Sequence, residues 1–202
     1  MANLVFDAAN RIGAKGLLAR TGALYHDIGK MENPAFFTEN QGGGINPHKS
    51  LSYEQSAKVV INHVIDGLHL AEKYNLPTVI RQFITTHHGA GTTKYFYISW
   101  KNEHPGEEPD ASWFSYPGPN PFTREQAILM MADAVEAASR SMKEYTEESI
   151  NQLVDKIVDS QLADGYFTNC PITFQNIQTV KQVFKTKLKS MYHPRISYPE
   201  LK

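Results

Sequence analysis

Six side chains in this sequence can do metal or acid–base chemistry from inside apolar segments: His26, Asp27, His63, His87, His88 and Asp133. His26 and Asp27 stand together in LYHDIGKM, His63 falls in INHV, His87 and His88 in ITTHHG, and Asp133 in MMADAVEAA. Each sits at an inward helical position or a helix end. A buried carboxylate without a partner is costly, and imidazoles have no reason to cluster unless something binds their lone pairs. A metal ion does so. Histidine nitrogens and carboxylate oxygens suit zinc, iron, manganese or nickel, and a chain with one cysteine, Cys170, has no Cys pair for a structural zinc site. Singly, each residue has a blander role, a histidine as a hydrogen-bonded core or capping group above all. Their joint placement is what points to a metal.

Adjacent residues of a helix point about 100° apart. His26 and Asp27 therefore share a site only if it lies between their directions or holds two metals bridged by the aspartate. Two metals about 3.5 to 4 Å apart clamp a phosphate and lower the pKa of a bridging water, which is what phosphodiester hydrolysis requires.

Positioning such a set calls for helices. Apolar residues recur at three- and four-residue steps almost throughout, and strict alternation is hard to find, so the chain is expected to be all-α. The expected helices run from about Ala2 to Arg11, from Leu17 to His26 or Asp27, and from Ser52 to Tyr74. Others begin after Pro77, at a Thr123/Gln126 capping box, at Thr146 and at Thr173. The fifth of these should bury a stripe of Ala127, Met130, Met131, Ala134, Val135 and Ala138, with Asp133, Glu136 and Arg140 on the adjoining face. Gly29 is expected to free the chain from the second helix. Two long irregular stretches interrupt the pattern: Glu32 to Ser50, with Pro34, Gly42, Gly43, Gly44 and Pro47, and the aromatic, Gly- and Pro-rich Gly89 to Pro121, expected to be a flap or lid.

The 202 residues, 41% hydrophobic, suit one domain over 1–202. Twenty basic and 21 acidic residues leave a net charge of −1, with no polycationic surface for DNA or duplex RNA. A lone cysteine fits a reducing, cytosolic compartment. No run of about 18 apolar residues is present, so no bilayer span is expected, and MANLVFDAANRIG lacks the layout of a signal peptide. Leu4, Ala8 and Ile12 are already at helical spacing with no cap before them, as in an excised domain.

HDIGK, His26 to Lys30, resembles the signature of the HD superfamily of metal-dependent phosphohydrolases. The likeness extends through LLARTGALYHDIGKM, FFTENQ, NPH, INHV, ITTHHG, YFY, MMADAVEAASRS and YHPRISYPE, which in this order resemble the cytosolic HD domain of PgpH-type membrane cyclic di-AMP phosphodiesterases. The resemblance implies an HD-domain helical bundle with long irregular loops around a metal site. It implies metal ligation by His26, Asp27, His63, His87 and Asp133, with Asp27 bridging and His88 either a further ligand or just behind the ligands. Lys30 matches the lysine that faces the substrate phosphate. The implied activity is cyclic di-AMP hydrolysis to linear pApA through a water activated by two divalent metals, iron or manganese before zinc. The implied setting is the cytoplasmic face of the inner membrane, after a transmembrane region, and a homodimer is compatible with it. The family carries one more ligand histidine a turn before the segment matching Ala2-Asn3-Leu4, upstream of Met1.

Asn40, Gln41, Asn46 and His48 fall where the resemblance places a pocket wall, although loop amides commonly form turns. Tyr95, Phe96 and Tyr97 are candidates for stacking an adenine, or for core packing. Arg140 is expected to pair with Glu136, and Lys181, Lys185, Lys187 and Lys189 to form a solvated face. Three alternatives remain open: another HD reaction, on mononucleotides or guanosine alarmones; a module that binds a cyclic dinucleotide without cutting it; and a helical domain whose histidines are structural.

Overall fold

A computed structural model describes residues 1–41 and 46–192. The glycines of the first predicted loop, Gly42 to Gly44, and nearly all of the terminal YHPRISYPE lie outside the described residues. Among the described residues there are eight α-helices: α1 (Ala2–Arg11), α2 (Gly16–Tyr25), α3 (Tyr53–Lys73), α4 (Thr78–Thr86), α5 (Lys94–Glu103), α6 (Arg124–Ser139), α7 (Glu147–Ala163) and α8 (Phe174–Tyr192). The all-α expectation holds, with one isolated antiparallel bridge, Thr92 to Ser115.

The start signals behave as their chemistry dictates. Thr123 Oγ1 accepts from the Gln126 amide while Gln126 Oε1 accepts from the Thr123 amide, both at 3.3 Å, closing the box that starts α6. Ser52 and Gln55 close the same box at the start of α3. These caps set the register of the two helices that carry Asp133 and His63.

Helix α6 is the centre of the main core. Ala127, Ile128, Leu129, Met130, Met131, Ala132 and Val135 are all buried, among α1, α2, α7 and α8 and the Phe83 ring of α4. The single stripe expected for α6 is therefore corrected: Ile128 and Leu129 are buried too, while Ala134 and Ala138 are half-buried. A helix surrounded by neighbours is apolar all round, so it shows no dominant face in sequence. A smaller core joins α3 to α5 through Ala57, Ile61, Trp100 and Phe114.

Four more expectations change. The flap between Gly89 and Pro121 contains α5, a regular helix that buries Trp100, whose Nε1 donates to Glu54 on α3 at 2.6 Å. Its aromatic and β-branched content hid it, because packing against α3 outweighs weak helix propensity. The first long loop is partly ordered into single 3-10 turns, Pro34–Phe36, Thr38–Asn40 and Pro47–Ser50. The lysines of α8 are not a free solvated face. Lys181 is buried and pairs with Asp155 and Asp159, Lys185 with Asp155, Lys189 with Glu147 and Lys187 with Asp7, which ties α8 to α7 and α1.

Gly29 has a different task from the one expected. It lies within a 3-10 turn, Ile28–Met31, that continues the chain after α2. A Cβ on Gly29 would stand 1.9 Å from the His63 carbonyl oxygen and 2.4 Å from the Gly67 nitrogen. The glycine permits contact between this turn and α3, and that contact holds Asp27 against His63.

Candidate metal centre

Four elements converge on one point. His26 caps the C-terminus of α2 and Asp27 directly precedes the 3-10 turn, His63 projects from the middle of α3, His87 caps α4 with His88 following, and Asp133 projects from the middle of α6. All six predicted residues are brought together. They fall into two groups of potential donors, each with its atoms within 4.8 Å of one another: Asp27, His63, His87 and His88, and His26, Asp27 and Asp133. Asp27 belongs to both. Its Oδ1 lies 3.4 Å from His63 Nε2 and 3.5 Å from His87 Nε2, whereas its Oδ2 lies 3.2 Å from His26 Nε2. Asp133 Oδ1 stands 3.5 Å from the same His26 nitrogen.

The imidazoles are oriented by their own helices. Nδ1 of His26, His63 and His87 lies 3.0, 2.5 and 2.8 Å from the carbonyl oxygens of Ala23, Val60 and Ile84, in each case three residues earlier. A carbonyl only accepts, so each Nδ1 carries a proton and each Nε2 faces the centre, where a neutral ring presents a lone pair. His63 Nε2 and His87 Nε2 then face each other at 3.1 Å. Two lone pairs at that distance, with carboxylate oxygens beside them, repel unless a cation lies among them. His26 Nε2 and Asp27 Oδ1 are also buried with no hydrogen-bond partner among the described residues.

The donor set fits a divalent ion. Ligands about 2.1 Å from a metal, at angles between 90° and 110°, stand about 3.0 to 3.4 Å apart, close to the 3.1 to 3.5 Å found here.

Electrostatics show how strongly these groups are coupled. Burial opposes ionisation of Asp27, yet His26, His63 and His87 hold its carboxyl well below the usual range. Burial likewise opposes charge on Asp133, and His26 outweighs it. For His26, burial pulls the imidazole down while Asp133 and Asp27 raise it to about 10, so without metal it carries a proton. Burial lowers His87, and it lowers His88 further with help from His87, leaving both neutral and free to donate lone pairs.

Lys30 sits at the rim, its Nζ 2.8 Å from Asp27 Oδ2 and 2.6 Å from Glu39 Oε1. Burial works against its charge, but Asp27 and Glu39 hold the ammonium above its usual range. Neither Glu39 nor Tyr116 stands out in sequence as a site residue. Tyr116 stacks on His88 with ring centroids 4.2 Å apart, and burial raises its phenol. Each arrives from an irregular segment with no periodicity to mark it. Arg140 pairs with Glu136 at 2.9 Å, as expected.

A cavity of about 380 Å³ opens onto Asp27, Lys30, His63, His88 and Asp133. It shares Phe37, Thr38, Glu39 and Val60 with a larger one of about 980 Å³, lined by Asn46, His48, Tyr95, Phe96 and Trp100. Asn46 and His48 also hold the loop in shape: Asn46 Oδ1 accepts from the His48 amide, and His48 Nε2 lies 2.9 Å from the Phe36 carbonyl. Tyr95 is 75% exposed and lines the large cavity. Tyr97 is turned away: its ring packs edge-on against Phe114 in the small core, and it does not line the cavity. Tyr95 and Tyr97 are two residues apart on α5 and so point about 200° apart around the helix, which turns Tyr97 away from the side that Tyr95 occupies.

An all-helical bundle whose inward histidines and aspartates converge on one point defines a helical domain with a candidate divalent-metal site. The chain belongs to the HD domain family, whose model matches residues 1–138. It is 41% identical over 200 residues to the cyclic-di-AMP phosphodiesterase PgpH of Bacillus subtilis (strain 168), and 41% over 201 to that of Listeria monocytogenes serotype 1/2a (strain 10403S). Each alignment covers 99% of this chain, which spans about 28% of the length of either relative. The crystal structure of the L. monocytogenes phosphodiesterase PgpH HD domain superposes with a TM-score of 0.89 at 40% identity, covering 95% of this chain and 89% of that one. The same domain in complex with cyclic-di-AMP gives 0.90, with coverage of 95% and 88%.

Proposed function

We propose that this chain is the hydrolytic domain of a cyclic di-AMP phosphodiesterase, which opens the cyclic dinucleotide to linear pApA. The observation that carries this is Asp27, whose two oxygens face two different groups of donors. That is the arrangement expected of a carboxylate shared by two metal positions, one with His63, His87 and His88 and the other with His26 and Asp133. Iron or manganese suits the mixed imidazole and carboxylate set. Two divalent ions held there would supply the charge that polarises a phosphate and acidifies a water.

The chain's own residues do the rest. His63 and His87 are held in one tautomer by their own helices, so their lone pairs need no reorganisation, while His26 is oriented in the same way and gives up its second proton when a metal binds. Lys30 is placed at the rim to neutralise charge that develops on a phosphoryl oxygen, and Glu39 holds its ammonium. The large cavity, which shares Phe37, Thr38, Glu39 and Val60 with the one at the centre, offers room for a base beside Tyr95, Phe96, Asn46 and His48. Likeness to the PgpH relatives supports cyclic di-AMP as the substrate, and the chain's share of their length supports a domain that works within a larger protein. In that protein the domain would follow a transmembrane region, face the cytoplasm and have room to pair as a homodimer.

Metal analysis combined with product analysis on cyclic di-AMP, cyclic di-GMP and several nucleoside monophosphates tests this. Bound metal with pApA as the product is the expected result. Turnover of monophosphates with cyclic di-AMP left whole would refute it.

A further inference from the structure

The metal centre can be approached from a second direction. A separate cavity of about 280 Å³ lies between α6, α7 and the segment after α4. It shares His88, Tyr116, Asp133 and Ala137 with the substrate-side cavity, so the same donors are exposed to both. Its other walls are of mixed character: Ala134 and Ile157 are apolar, whereas Thr92, Ser160, Gln161 and Tyr166 are polar. Gln161 is 8% exposed; its Nε2 donates to the Met130 carbonyl at 3.2 Å, and its Oε1 is buried with no partner among the described residues. Lys94 and Asp164, both exposed, also line it and pair at 3.2 Å.

The walls are mainly apolar, and the unpartnered Gln161 oxygen, with Ser160, Tyr166 and Asp133 along the same cavity, gives water its polar partners there. A liquid water occupies about 30 Å³, so the cavity has room for several. It is too small for a dinucleotide.

We infer that this second cavity is a water passage that serves the metal centre while substrate fills the first. The inference rests on the phosphodiesterase function proposed above. In each turnover a water oxygen bonds to phosphorus and the P–O3′ bond breaks. One water proton goes to O3′, and the other is shared between the new phosphomonoester and solvent. A dinucleotide lying across Lys30, Phe37 and Tyr95 would cover the substrate-side opening, so the next water would need another route, and the Asp133 and His88 side offers one.

The passage is read directly with the manganese-loaded chain and a phosphorothioate analogue of cyclic di-AMP that resists hydrolysis. Relaxation of bulk-water protons by the bound manganese reports water that exchanges at the centre. In the wild type, saturation with the analogue should leave a substantial part of this relaxation. Its complete loss would overturn the passage, whatever any variant does. Ala134→Leu and Ser160→Leu plug the cavity from two different helices and replace no proposed ligand. With the analogue bound, both should lose the remaining relaxation at full metal content. Both should also lower kcat by about tenfold or more with KM unchanged. Relaxation and kcat equal to wild type in a variant that retains its metals and its melting temperature would also overturn the inference. Failure of the wild type to cleave cyclic di-AMP would instead refute the proposed function, and the relaxation measurement would still report on the passage.

Discussion

Gly29→Ala isolates the contact that builds the site. The new Cβ would lie 1.9 Å from the His63 carbonyl oxygen, where real Cβ contacts essentially never fall below 3.0 Å. The two backbones must therefore separate by about 1.1 Å, the difference between those distances. Both nearest residues, His63 and Gly67, meet the methyl with backbone atoms, so no side chain can turn aside. Overpacking at rigid sites costs about 1 to 3 kcal/mol, and a clash with backbone alone belongs at the upper end, near 3 kcal/mol. For a chain of this size each kcal/mol lowers the melting temperature by about 2 to 4 °C, so a fall of about 6 to 12 °C is expected. The functional loss should be larger. Metal–ligand distances tolerate shifts of only about 0.2 Å, and a displacement several times larger between Asp27 and His63 dismantles the donor set. Thermal unfolding followed by circular dichroism, with metal content measured on the same sample, reads both effects. Wild-type melting together with wild-type metal content would refute the account of why this position is glycine.

The remaining predictions concern the centre itself. Asp27→Ala should remove metal and activity together, because both donor groups lose the carboxylate they share; retained two-metal stoichiometry counts against the shared role. Lys30→Ala should leave the metals bound and slow turnover by about a hundredfold, the usual loss for one charge-stabilising donor; normal kcat would remove Lys30 from the chemistry. Without metal, burial lowers His26 but Asp133 and Asp27 raise it to about 10, so it is protonated at neutral pH, while a ligating imidazole must be neutral. Metal uptake should thus release a proton, and affinity should rise with pH up to about 10. Calorimetric titration in two buffers of different ionisation enthalpy measures this, and a heat of binding independent of buffer would contradict it.

The all-α class, the capping boxes at Ser52 and Thr123 and the six inward histidines and aspartates are legible in the sequence. Each depends on local chemistry: a cap needs a partner three residues on, and an apolar stripe has a fixed period. Local signals fail where packing partners are remote in sequence. Helix α5 was hidden because Trp100 is stabilised by Glu54 and Phe114, not by its neighbours in sequence. Lys181 resembled a surface lysine until α7 supplied Asp155 and Asp159. Tyr95 and Tyr97 are equivalent candidates in sequence, and only the face that α5 turns toward α3 separates them.

The sequence by itself determined which residue types are available to hold a metal and that helices would carry them. The tertiary structure decided how they group: that Asp27 turns one oxygen to His63 and His87 and the other to His26, that Glu39 and Tyr116 complete the surroundings, and that a second cavity reaches the same donors. The physical reason is distance along the chain. His26, His63, His87 and Asp133 are tens of residues apart, and their separations follow from tertiary contacts such as the one between the Gly29 turn and α3, which no local pattern encodes.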